Sequence, residues 1–127
     1  MFNIVCHSMG FAYALGIIDV FKIRNIKIGR LYIIAPENAS SGNITPGDYE
    51  EVWQYGSNLG MDGADPLCQQ DGVAPQTYVG GLPANNRVTT PKNAGFTKSF
   101  VESHRIANYK WIFQKTVNDP GYVKTRK

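Results

Sequence analysis

Three residues of this chain have side chains and an order that suit nucleophilic acyl transfer: Ser8, Asp71 and His104. Ser8 lies in Cys6-His7-Ser8-Met9-Gly10. Before it, Phe2, Ile4 and Val5 read as a short strand buried on both faces, because β-branched and aromatic residues suit such a strand. After it, Met9 to Phe21 carries Asp19 as its only charge, the pattern of a helix packed all round. A serine between a strand and a helix, with small residues two before and two after, has the form of a nucleophile elbow, G-x-S-x-G with Cys6 in place of the first glycine. There the hydroxyl projects above the sheet edge. The Met9 amide, at the helix N-terminus, is placed to face a developing oxyanion. The alternative is a serine that merely caps a core helix.

The run IVCHSMG resembles the I-V-x-H-S-M-G run of bacterial lipases and esterases of the α/β-hydrolase superfamily. The resemblance implies a partial α/β-hydrolase fold, a mostly parallel sheet with flanking helices. It extends over nearly the whole chain but corresponds only to the C-terminal half of the family's domain, from nucleophile elbow to last helix. The strands that normally precede the elbow have no counterpart, nor has the loop that supplies the second oxyanion amide. The expectation is therefore a fragment, weak or inactive alone, completed by an N-terminal segment or by a second chain.

The same resemblance bears on the acid. Asp71, Gly72, Val73 and Pro75 resemble the D-G-x-V-P run that carries the catalytic aspartate in many bacterial lipases, with Ala74 intervening before the proline. Independently of the family, an aspartate held by a glycine turn can accept a hydrogen bond from an imidazole and fix its tautomer. Asp65 and Asp62 are rivals in the same loop.

The base is narrowed by counting. The chain has two histidines, His7 and His104. His7 adjoins Ser8 in an extended strand, so the two side chains point to opposite faces and His7 reads as structural packing. His104 is the remaining partner, at the start of a closing helix expected over Ser103–Gln114, with Ser103 as its N-cap and Ile106, Tyr109, Ile112 and Phe113 on one face. The order Ser, Asp, His is that of the α/β-hydrolase triad.

Between these residues the chain must supply a scaffold. Ile23–Arg30 reads as a polar connection with Gly29 as a turn or helix stop. Leu31–Ala35 reads as a second buried strand, parallel to the first through a right-handed βαβ crossover. Glu37–Gly47 is loop, in which Asn38 and Ser40 are either pocket residues or plain turn chemistry. Val52–Tyr55 and Arg87–Thr90 read as further strands, Gly56–Asp71 as a long polar loop, and Val117 onward as tail.

Composition bounds the rest. At 127 residues the chain is a single domain, residues 1–127, with tail at 117–127. Its 43% hydrophobic content is that of an ordinary globular protein. A net charge of +3, without a basic cluster or recognition motif, argues against a nucleic-acid partner. No apolar run has membrane-spanning length, and no signal peptide is read before the first strand. Cys6 and Cys68 lack metal-ligand spacing and read as free thiols, and no cofactor or metal is called for. Two function classes remain. One is a serine hydrolase of carboxylic esters, with an ester or lipid as small-molecule substrate. The other is a non-catalytic, hydrolase-like module for interaction or structure.

Overall fold

The computed structural model describes residues 1–37, 39–56, 78–91 and 105–124. Four strands, β1 (Phe2–His7), β2 (Ile28–Ile34), β3 (Glu51–Tyr55) and β4 (Arg87–Val88), form one sheet in the order β1-β2-β3-β4. All three pairings are parallel. One α-helix, α1 (Gly10–Ile23), connects β1 to β2. Parallel neighbours need such a crossover, and α1 supplies it. The chain is thus of the α/β class; β3 contains the run expected at Val52–Tyr55, and β2 covers Leu31–Ile34 of the run expected at Leu31–Ala35, with Ala35 just beyond its end.

The sheet has a core on each face. On one, Phe11, Ala14 and Ile18 of α1 pack with Cys6, Leu31, Ile33 and Val52. On the other, Tyr32, Ile34, Tyr55 and Val88 pack with Tyr109, Trp111 and Ile112. Alternation along β2 sends Leu31 and Ile33 to the first core and Tyr32 and Ile34 to the second, as a strand covered on both faces requires.

The second core is closed by 3₁₀-helical turns at Ile106–Gln114 rather than by the α-helix expected over Ser103–Gln114. Arg105 is extended (φ −61°, ψ 141°), so the turns begin at Ile106. Three residues per turn stacks Tyr109 over Ile112, both buried, and turns Phe113 outward to 61% exposure. Ile106 is also half exposed, so only part of the predicted apolar face is used.

Three further expectations change. β1 is not buried on both faces: it is the edge of the sheet, and Phe2 and Val5 are more than half exposed. α1 is not packed all round, for Tyr13, Ile17 and Val20 remain exposed. Gly29 does not stop the helix. Asn25 does, in the left-handed conformation (φ 55°), with the Ile26 amide donating back to the Phe21 carbonyl at 2.8 Å. β2 consequently starts at Ile28 and takes in Gly29, where a Cβ would lie 2.7 Å from Met1 Sδ and from Asn3 Oδ1.

Residues expected to be tail are tied to the sheet. The Tyr55 hydroxyl donates to the Gly121 carbonyl at 2.6 Å, and the Lys124 amide donates to the Tyr32 hydroxyl at 3.3 Å. Lys124 Nζ lies 3.4 Å from Glu51. Gly121 is left-handed (φ 75°), and a Cβ there would strike Val88 Cγ2 at 2.6 Å.

Burial of ionisable groups gives the fold a pH limit. Desolvation raises the Cys6 thiol from 9.0 to about 12, and it raises the Tyr55 phenol strongly in the same direction. The folded protein buries the neutral forms, whereas the unfolded chain ionises near the ordinary values. Stability is therefore complete below about pH 9 and is lost as pH rises towards 12, at about 1.4 kcal/mol per pH unit for each such group. Urea midpoints at pH 8, 9.5 and 11 should fall across the last two; a midpoint unchanged at pH 11 would contradict this burial.

Candidate active site

The site is built on the corner between β1 and α1. Ser8 occupies it with φ 55°, a left-handed backbone that a non-glycine residue adopts at a cost of roughly 1–3 kcal/mol. Three hydrogen bonds hold it there. The Ser8 amide donates to the Ile34 carbonyl at 3.1 Å. The Ser8 carbonyl accepts from the Phe11 amide at 3.1 Å and from the Glu37 amide at 3.2 Å. The corner is thus fastened to the end of β2, to the first turn of α1 and to the loop after β2.

The flanking residues explain why the turn fits. Gly10 begins α1 above the strand, and a Cβ placed on it would lie 3.8 Å from Cys6 Cβ. That is ordinary contact, so the corner needs small residues at both positions without requiring glycine itself. Cys6 is buried, and its thiol stays protonated at neutral pH, so the sulfur fills space and does not act as a nucleophile.

The first turn of α1 leaves donors open. The Phe11 and Ala12 amides are taken by the Ser8 and Met9 carbonyls at 3.1 and 3.0 Å. Among the described residues, no carbonyl accepts from the Met9 amide. An open N–H next to a left-handed serine, at a helix N-terminus, favours a negative charge beside the serine.

The other predicted residues divide between the two sides of this corner and the undescribed segments. His7 is half buried on the face away from α1, its ring 5.8 Å from that of Tyr109. That agrees with its reading as packing. Ser40 is exposed in a short 3₁₀ turn at Ala39–Ser41. Asp71, Asp65, Asp62, Asn38, Cys68 and His104 lie outside the described residues.

One feature of the corner escaped sequence reasoning. Ala35 is also left-handed (φ 40°), completely buried, and donates to the Tyr55 carbonyl at 3.0 Å. It precedes Pro36, and residues before proline favour extended backbone, so the local signal points the wrong way. Its conformation turns the chain after β2 so that Glu37 meets Ser8.

A cavity of about 360 Å³, lined by Lys22, Asn25, Lys27, Asp48 and Tyr49 among others, lies at the opposite end of α1. A helix of this length separates it from Ser8 by about 20 Å, so it takes no part in this site. Among the described residues no cluster of side chains is suited to hold a metal ion, and no helix is long and apolar enough to cross a membrane.

Comparison with known proteins gives no match: no family model, no curated protein and no solved structure is significantly similar to the chain.

Proposed function

We propose that the protein is a serine hydrolase of carboxylic esters, built on a partial α/β-hydrolase fold. The observation that carries this reading is the left-handed Ser8 between a parallel strand and a helix, held by three backbone hydrogen bonds beside an open amide. A cap has no need of such a conformation, since N-caps ordinarily sit in the extended region. A nucleophile elbow does need it.

In this mechanism Ser8 Oγ attacks the acyl carbonyl while His104 takes its proton. The Met9 amide donates to the oxyanion, an interaction worth on the order of 3 kcal/mol. His104 then returns the proton to the departing alkoxide, leaving an acyl-serine. Water, deprotonated by the same imidazole, attacks the acyl carbon; the bond to Ser8 Oγ breaks, the imidazolium returns the proton to Oγ, and the acid is freed. Asp71 accepts from the second imidazole nitrogen and fixes its tautomer, with Asp65 as the alternative acid. With the Met9 amide as the named donor, half of the usual oxyanion hole is supplied, and turnover is slow.

A panel of p-nitrophenyl esters of increasing acyl length tests the reading on the intact protein. Saturable hydrolysis of at least one member is expected; none above buffer would overturn it. A second reading has its own support. The apolar side chains left exposed on β1 and α1 suit a module whose purpose is association. It predicts association without ester turnover.

A further inference from the structure

The loop after β2 is fastened to the Ser8 corner and carries a carboxylate with it. The Ala35 amide donates to the Tyr55 carbonyl at 3.0 Å, and the Glu37 amide donates to the Ser8 carbonyl at 3.2 Å. Between them Pro36 is buried, its φ set by the ring. Two tethers within three residues leave the Glu37 backbone little freedom, so its side chain starts from a fixed point beside the serine. Bond lengths then bound its reach. Even fully extended, it keeps the carboxylate within about 10 Å of the Ser8 carbonyl oxygen.

That carboxylate is uncompensated. Glu37 is partly buried. Among the described residues it enters no ion pair: the pairs found there join Lys22, Arg30 and Lys124 to Asp48, Glu50 and Glu51, around the start of β3. Glu37 instead follows the end of β2, at the other end of the sheet. Nor does its carboxylate accept a hydrogen bond among the described residues, where Glu51 and Asp119 are the carboxylates that do. Partial desolvation of an unpaired charge costs free energy, and a cation brought beside it recovers part of that cost.

We infer that Glu37 determines specificity in the hydrolysis assigned to Ser8, selecting esters that carry an ammonium group over neutral and anionic ones. The inference rests on Ser8 being the nucleophile. The two ends of such a substrate then meet opposite fields. Its developing oxyanion faces the open Met9 amide at the start of α1, and its ammonium group faces the Glu37 carboxylate. Distance sets the size of the effect. Unit charges about 10 Å apart favour a cation by about twofold at the dielectric constant of water, and by about fifteenfold at the lower value that applies near a protein surface. An anion is disfavoured by similar factors. Salt weakens both, because the screening length shortens from about 30 Å at 0.01 M to about 3 Å at 1 M.

Hydrolysis of p-nitrophenyl esters by the whole protein tests it. The acyl groups are γ-trimethylammoniobutyrate, its isostere with tert-butyl in place of trimethylammonium, and hemiglutarate. At an ionic strength of about 0.01 M, kcat/KM should fall in that order, with the cation favoured over its isostere by about 2- to 15-fold. Butyrylthiocholine against its own tert-butyl isostere repeats the comparison with the cation on the alcohol, and the pair with the larger ratio assigns the side. Glu37→Gln keeps the bond to the Ser8 carbonyl, which is a backbone bond, and should bring the ratio close to one. Raising the salt to about 1 M should do the same for the wild type. Hydrolysis of the neutral esters without a cationic preference in either pair overturns the role of Glu37 and leaves Ser8 as nucleophile. So does a preference that persists in Glu37→Gln or at high salt. Absence of hydrolysis throughout overturns both. Should Glu37→Gln fail to fold, the salt dependence of the wild-type ratio decides.

Discussion

Replacing Ser8 by alanine is expected to lower ester turnover by roughly 10⁴–10⁶-fold, the range seen when a triad nucleophile is removed. The loss should fall on kcat, with KM little changed, because the hydroxyl acts in the bond-making step and not in holding the ester. Folding should survive. The corner is fixed by the Ser8 amide and carbonyl, and alanine retains both bonds to Ile34, Phe11 and Glu37. Ser8→Ala therefore separates chemistry from structure. Equal turnover by mutant and wild type would return Ser8 to the role of a turn residue.

The second large effect is expected at His104. His104→Ala should cost several orders of magnitude in kcat, comparable with Ser8→Ala, and the double mutant should be no worse than either alone. Residues that act as one unit behave non-additively in this way. His104 is selected because His7 adjoins Ser8 along the strand, so the two side chains point to opposite faces, and the His7 ring lies 5.8 Å from that of Tyr109. The acid can be assigned in the same experiment. Asp71→Asn should lower turnover by about 10⁴-fold if Asp71 fixes the imidazole tautomer, with Asp65→Asn close to wild type. Reversal of the two would transfer the role to Asp65, and unchanged turnover on loss of His104 would remove the imidazole from the reaction.

What was legible in the sequence follows a physical division. β2 and β3 could be read because covered strands carry their signal in their own residues, as in Leu31-Tyr32-Ile33-Ile34. The β1–Ser8–α1 corner could be read because a strand pattern, small flanks and a helix pattern meet within a few residues. The burial of β1 and of the outer side of α1 could not, because burial belongs to what lies alongside. The sequence of Phe2–His7 is that of a covered strand, yet no described strand lies beyond it. Local backbone choices were harder still. Asn25 rather than Gly29 ends the helix, and Ala35 takes a left-handed conformation before a proline. The closing turns at Ile106–Gln114 are 3₁₀ where an α-helix was expected, because spacings of three and four suit both and only the extended Arg105 sets their start.

The most direct test is covalent. Treatment of the intact protein with a fluorophosphonate, followed by peptide mass spectrometry, should place a single adduct on the hydroxyl of Ser8, and heat denaturation beforehand should abolish it. An adduct on another residue, labelling that survives Ser8→Ala, or no labelling of the folded protein would contradict an activated nucleophile at this corner.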